Sequence, residues 1–224
     1  MKITLTLLSI TSLLILSGER ASAETWAYTD PNSPDQAWTG NLGLDFTVNQ
    51  AIVVTGLGVF NPNGSQVVNA GPISVAIYDS NGNQVTPIAQ FTNTGGLYAL
   101  NPGGFDITQS IIATVLGPGN YSVVAVGFSA ADPNGNVNLG SAGPATDDGG
   151  GLLTFTGVGR YDSNLSLDYP ATCVGCVVPT QFDAGTFEFT ATPEPGTFGM
   201  FGLGSALAFA IVRRGRKNRL AASA

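Results

Sequence analysis

Ile111-Ile-Ala-Thr-Val-Leu-Gly-Pro-Gly-Asn-Tyr-Ser-Val-Val-Ala-Val-Gly-Phe128 decides the fold class. Two apolar runs, Ile111 to Leu116 and Tyr121 to Phe128, flank a turn built from Gly117, Pro118, Gly119 and Asn120, and the second run alternates through Val124 to Phe128. Short β-branched runs closed by glycine and proline read as strands, because alternate side chains of a pleated backbone share a face. The same pattern recurs at Leu42 to Val48, Ile52 to Phe60, Ile73 to Tyr78, Val85 to Phe91, Leu152 to Thr156 and Gly185 to Thr190. In the last of these, Phe187 and Phe189 are expected to face the core, with Thr186, Glu188 and Thr190 facing water. No helical period stands out between Glu24 and Thr192, so this 169-residue body is predicted to be an all-β, antiparallel β-sandwich, jelly-roll-like in type.

Three tetrads share an Asn/Asp-x-Asn-Gly pattern: Asn61 to Gly64, Asp79 to Gly82 and Asp132 to Gly135. Their chemistry favours tight hairpins, since the first side chain can accept a backbone N–H and the glycine tolerates positive φ. Asp132 to Gly151, rich in Gly, Asn, Pro and Asp, is predicted to be a long exposed loop.

The two ends frame the body with an address. Lys2, an apolar core from Ile3 to Leu16 and the Ala21-Ser22-Ala23 site before Glu24 form the pattern of a signal peptide over residues 1 to 23, cleaved after Ala23. At the other end, Thr192-Pro193-Glu194-Pro195-Gly196 precedes an apolar run from Thr197 to Val212, and Arg213, Arg214, Arg216, Lys217 and Arg219 follow. Sixteen apolar residues span about 24 Å as a helix against a hydrocarbon core of about 30 Å, so the predicted transmembrane helix is short. Flanking arginines can snorkel, and they hold that end on the cytoplasmic side.

This C-terminal order, with the signal peptide at the far end, resembles the PEP-CTERM sorting signal of exported bacterial proteins. The resemblance covers residues 193 to 219: Pro193, Glu194 and Pro195 as the motif, 197 to 212 as the helix, 213 to 219 as the basic stop. Residues 220 to 224 form a short tail beyond that pattern. It implies the secretion machinery and the membrane-embedded enzyme exosortase as partners. It also implies an inner-membrane precursor delivered to the cell surface, outer envelope or extracellular matrix, and an association with exopolysaccharide. The physical logic is that of a removable C-terminal handle, with two prolines keeping the backbone extended outside the membrane.

Charge narrows the function. Between Glu24 and Thr192 thirteen acids face one base, Arg160, a net charge of −12. A body so acidic repels phosphate backbones, which excludes nucleic acid as a partner. Histidine is absent from the chain and lysine from the body, removing Ser-His, Cys-His, Ser-Lys and Schiff-base chemistry. The remaining catalytic option is a glycosidase pair drawn from Asp147, Asp148, Asp162, Asp168, Asp183 and Glu188, whose spacing marks none of them as a raised-pKa acid. The expectation is a protein without enzymatic activity.

Cys173-Val174-Gly175-Cys176 has the spacing of a redox motif but leads into Val177, Val178 and Pro179 rather than a helix, so a local structural disulfide between Cys173 and Cys176 is expected in an exported chain. Asp79, Asn81 and Asn83, and likewise Asp132, Asn134 and Asn136, place oxygen donors at alternate positions as calcium loops do. Neither set has the bidentate Glu of an EF-hand, and turn chemistry accounts for both. No other cofactor is expected. Trp26, Trp38 and Tyr98, with Tyr28, Tyr161 and Tyr169, are the aromatics available for stacking on a glycan. The sequence therefore predicts a structural or adhesive surface protein, with a carbohydrate-binding module on exopolysaccharide as the alternative and a carboxylate-based glycoside hydrolase as a more distant one.

Overall fold

The computed structural model describes residues 24–29, 36–102, 104–136, 144–174 and 184–192. The signal peptide, Pro193 to Pro195, the apolar run and the basic stop all lie outside these residues. No helix among the described residues is long and apolar enough to cross a membrane.

The strands are β1 (Thr25–Trp26), β2 (Tyr28–Thr29), β3 (Leu42–Val48), β4 (Ile52–Phe60), β5 (Ile73–Asp79), β6 (Ala89–Phe91), β7 (Ala99–Leu100), β8 (Asp106–Leu116), β9 (Gly119–Val126), β10 (Ala145–Thr146), β11 (Leu153–Tyr161), β12 (Thr172–Val174) and β13 (Gly185–Ala191). They form an all-β, antiparallel body of a five-stranded sheet, β1-β13-β4-β8-β7, a six-stranded sheet, β12-β11-β3-β9-β5-β6, and a small ribbon of β10 and β2.

The stretch 111 to 128 is two strands, but they are not a hairpin. Leu116 pairs with Ile52 in the five-stranded sheet, whereas Gly119 pairs with Val48 in the six-stranded one. Gly117 and Pro118 therefore carry the chain from one sheet to the other, beside the parallel crossing made by Asn49, Gln50 and Ala51 between β3 and β4. Both crossings keep apolar faces turned toward a common core. Phe46 of β3 lies 4.6 Å from Phe187 of β13, ring centroid to ring centroid, and Phe187 lies 5.8 Å from Phe189. All three rings are fully buried, each stabilising the fold by roughly 1.5–3 kcal/mol through removal of apolar surface from water.

Several expectations are corrected. Of the three tetrads only Asp79 to Gly82 closes a hairpin, with Tyr78 bridged to Gln84. Pro62–Gly64 is a single 3-10 turn, as Pro62 fixes the φ of the first position. Asp132 sits in a loop bonded to Asn69 and Ala70, 63 and 62 residues away. That loop is not exposed at its start, where Asp132 and Asn134 are buried, and β10 interrupts it. The run from Val85 is a strand only over Ala89–Phe91. β8 begins five residues before Ile111 and β11 extends to Tyr161. Thr186 does not face water: its hydroxyl donates to the Tyr28 carbonyl at 2.7 Å and accepts the Tyr28 N–H at 3.1 Å. The ribbon strand β2 thus continues β1 along the edge of β13 and engages the Thr186 hydroxyl there.

The outer face of the six-stranded sheet is covered too. Residues 162 to 171 fold back across it as a strap, packing Leu167 and Tyr169 on Ala76, Tyr78 and Val124. Gly40 is obligatory at the strap's root, because a Cβ there would lie 2.0 Å from the Asp162 carbonyl oxygen.

Truncating Phe187 to alanine removes the ring that touches Phe46, Phe189 and Tyr28 together. Equilibrium denaturation of Phe187→Ala is expected to give a loss of about 3–5 kcal/mol.

Candidate functional site

Three places in the body gather polar or titratable side chains: the exit of the C-terminal tail, the strap, and a groove beside β10.

At the exit, β13 ends at Ala191 and Thr192 is fastened to the β3–β4 crossing. Its N–H and its hydroxyl both donate to the Ala51 carbonyl, at 3.2 and 3.0 Å. On the outer face of the same sheet, Trp26 lies across β4, where a methyl group added at Gly56 or Gly58 would come within 3.4 or 3.3 Å of the indole. Beside it, Glu188 accepts from the Thr55 hydroxyl at 3.4 Å. Burial, and then the neighbouring Glu24 carboxyl, raises the Glu188 pKa above its ordinary value. The folded chain holds this proton more tightly than the unfolded one, so the ionised carboxylate subtracts stability at neutral pH, and the loss is relieved as pH falls through the raised folded value.

The strap is organised by Asn41, which is fully buried. Its side-chain nitrogen faces four oxygens: Asp162 Oδ1 at 3.0 Å, the Asn164 carbonyl at 3.3 Å, the Ser166 carbonyl at 2.9 Å and Asp168 Oδ1 at 2.8 Å. An amide has only two hydrogens, so more acceptors converge than it can satisfy at once. Burial and the Asp162 charge raise the Asp168 pKa. Trp38 Nε1 donates to the Asp162 carbonyl and the Tyr78 hydroxyl to the Leu167 carbonyl. Arg160 forms an ion pair with Asp45, its Nε 2.7 and 2.9 Å from the two oxygens, and stacks over Tyr169 with its guanidinium carbon 4.9 Å from the ring centroid. The body's single base is thus held between a carboxylate and an aromatic face. The sequence reading named Asp162 and Asp168 only as candidate acids and missed Asn41, which joins them, although Asp162, Asn164, Ser166 and Asp168 show the same alternation of oxygen donors that singles out the other two loops.

The third place is an open cavity of about 550 Å³ lined by Thr146, Asp147, Asp148, Leu153, Thr154 and Phe155. Asp147 and Asp148 each also accept a backbone N–H two residues on, from Gly149 and Gly150.

The other sequence-selected residues fall as follows. Asp79 Oδ1 accepts the N–H groups of Asn81 and Asn83, and Oδ2 accepts the Asn83 side-chain amide, all at 2.9 Å. The hydrogen bonds from Asn83 are the chief cause holding the Asp79 carboxyl below its ordinary pKa. Asp132 accepts three N–H groups, from the Asn69 backbone at 2.7 Å, the Asn69 side chain at 2.9 Å and Ala70 at 2.7 Å. Asn134 Oδ1 accepts the Asn136 N–H, and the Asn136 amide donates to Gln36 Oε1. In both loops the acids are engaged by N–H donors. Among the described residues no group of three or more His, Cys, Asp or Glu could hold a metal ion. Trp26, Trp38 and Tyr98 have separate settings: Trp26 lies over Gly56 and Gly58, Trp38 packs edge-on to Tyr161, and Tyr98 packs edge-on to Phe91. Tyr28 belongs to the core, and burial pushes its pKa up. Cys173, in β12, is disulfide-bonded, while Cys176 and Asp183 lie outside the described residues.

β13, the last strand of the body, is followed directly in the sequence by Pro193, Glu194 and Pro195. A family model described as the PEP-CTERM protein-sorting motif matches residues 191–217, and the chain carries that motif. It is accordingly an exported protein, processed at the membrane by exosortase and sorted to the cell surface. The match begins inside β13, two residues before Pro193. No curated protein and no solved structure matches the chain.

Two substitutions test these settings. Asn41→Ala leaves Asp162 and Asp168 without their shared donor. It is expected to cost about 1–3 kcal/mol and to speed hydrogen exchange in the strap. Glu188→Gln keeps the contact with Thr55 and removes the charge. Its thermal midpoint is expected to exceed that of the native chain at neutral pH, with the difference vanishing below the carboxylate range.

Proposed function

We propose that the body is a non-enzymatic structural or adhesive component of the cell envelope or exopolysaccharide matrix, built as a jelly-roll-like sandwich. The tail would then be a handle for delivery, taking an inner-membrane precursor to the outer envelope or extracellular matrix. The observation that supports this reading is how the body's polar side chains are engaged. Arg160 and Asp45 join two strands, Asn41 holds the strap, Asp79 closes its own hairpin turn and Asp132 ties its loop to Asn69 and Ala70, so these polar groups are engaged with one another or with backbone rather than left free in a cleft. Calcium, if it acts on this body, would have to compete with those N–H donors at Asp79 and Asp132. A protein exposed outside the cell gains from such pinning, since anchored loops resist local opening and proteolysis.

The groove beside β10 supports a second reading, a carbohydrate-binding module. Paired carboxylates and two threonines beside the Phe155 ring are the mixture of polar acceptors and apolar surface that a sugar contacts. Fold-level analogy lends this little weight, and only the groove itself favours it.

Co-sedimentation of the secreted body with the producing cell's own polysaccharide separates the two. A structural component with no sugar site is expected to stay in the supernatant at all salt concentrations. A binding module is expected to pellet, and Asp148→Ala with Thr154→Ala is expected to release it.

A further inference from the structure

Asn41 faces more oxygen than an amide can serve. Its side chain is fully buried, and its nitrogen lies 2.8 Å from Asp168 Oδ1, 2.9 Å from the Ser166 carbonyl, 3.0 Å from Asp162 Oδ1 and 3.3 Å from the Asn164 carbonyl. Asp162 Oδ1 has a second donor, the Asn164 N–H at 2.9 Å. The other three oxygens have no donor but this nitrogen among the described residues. With two hydrogens available, at least one of the three is always unmatched. No basic side chain relieves the two carboxylates, because Arg160, the body's one base, is committed to Asp45 and Tyr169.

We propose that the strap is a calcium site, in which Asn41, Asp162 and Asp168 give side-chain oxygens and Asn164 and Ser166 give main-chain carbonyls. A half-turn of the Asn41 amide exchanges its nitrogen for its oxygen, at the expense of the long bond, 3.3 Å, that this oxygen accepts from the Asp168 N–H. The amide oxygen then stands where the nitrogen stood, about 3 Å from each of the four others. That is the spacing of neighbouring ligands around calcium: oxygens at about 2.4 Å from the ion and at right angles to one another are about 3.4 Å apart, and closer in seven- or eightfold shells. The set holds only two carboxylates, and calcium accepts neutral carbonyl oxygens beside them. Ser163 to Ser166 are exposed, so water reaches the open side to complete the shell.

The ligands are held before an ion arrives. Trp38 Nε1 donates to the Asp162 carbonyl, and that carbonyl is packed so closely on Gly40 that no side chain fits between them. The Asn164 side-chain amide donates to Asp168 Oδ2, leaving Oδ1 turned toward Asn41. The loops of Asp79 and Asp132 differ on this point, since their carboxylate oxygens are already matched by N–H donors. Here the oxygens outnumber the hydrogens, and a cation meets that deficit. Because Asn41 precedes β3 while its partners lie 121 to 127 residues further on, one ion fastens the strap to the six-stranded sheet.

The protein purified from its host is melted in chelator and in calcium chloride, and hydrogen exchange is followed over residues 162 to 171. Extracellular calcium modules bind with dissociation constants of roughly 10⁻⁴–10⁻³ M. At tenfold excess over such a constant the thermal midpoint is expected to rise by about 3–5 °C, with exchange in the strap slowed. Asp168→Asn is expected to lose both responses while melting in chelator no lower than the native chain, because it removes one of two facing charges. Asn41→Asp moves the balance the other way: a lower midpoint in chelator and a larger rise with calcium, which a side chain acting only as a hydrogen-bond donor would not produce. Asp79→Asn and Asp132→Asn are expected to keep the native calcium response. The proposal is overturned if calcium leaves the native midpoint and strap exchange unchanged, if Asp168→Asn still responds, or if Asn41→Asp is destabilised without rescue by calcium. An equal rise with magnesium overturns the assignment to calcium, and loss of the response in Asp79→Asn or Asp132→Asn alone moves the site to that loop.

Discussion

Strand β13 lies between β1 and β4, and this placement governs the rest of the molecule. The five-stranded sheet stays open until the last residues of the body join it, because its interior strand is the last in the sequence. The partners of β13 are far away in the chain: Phe189 pairs with Thr25 and with Val54. Loop-closure entropy must therefore be met before these contacts can stabilise anything, which places the body among slowly folding β topologies. The rings of Phe187 and Phe189 enter the core with that strand, so hydrophobic closure and sheet completion happen in one step. Folding and exposure of the sorting motif are consequently linked, since the strand that completes the core is continuous with the tail.

Around this core the acidic composition sets a second constraint. With one base available, the body cannot fix its loops by salt bridges, and it uses carboxylates as acceptors of N–H groups instead. Asp132 is buried, and three such donors satisfy its carboxylate oxygens where no basic side chain is at hand. Arg160 is placed where one cation has most effect, joining β11 to β3 through Asp45 and the strap to both through Tyr169. Asn41 supplies the complementary solution, a neutral donor facing two carboxylates that would otherwise repel one another.

Much of the fold was legible because strand signals are local. Leu42–Val48 and Ile52–Phe60 have the boundaries that their β-branched runs and flanking turn residues indicate. What local pattern could not convey was which strands pair. Gly117 and Pro118 look like a hairpin turn in sequence, and only the register of Leu116 on Ile52 and Gly119 on Val48 reveals a crossing between sheets. Thr186 looked solvent-facing by alternation, but β2, two residues long and without a sequence signal of its own, covers it. The strap escaped notice for a related reason. Its key residue, Asn41, is 121 residues from Asp162, and an asparagine before a strand reads as an ordinary turn residue. The sorting motif was the opposite case, legible because its information is carried by linear order, and the family match falls on the same stretch, residues 191–217.

The direction in which the tail leaves β13 also sets how the body bears load. Tension applied through Thr192 acts along the strand axis, parallel to a ladder of seven residue pairs with β4. Such a pull shears the ladder, so its hydrogen bonds must yield together, whereas a pull across the strands would open them one at a time. While the tail tethers it, the body resists detachment by its strongest arrangement of backbone bonds. The two hydrogen bonds from Thr192 to the Ala51 carbonyl fasten the end of the strand being pulled to the start of its neighbour.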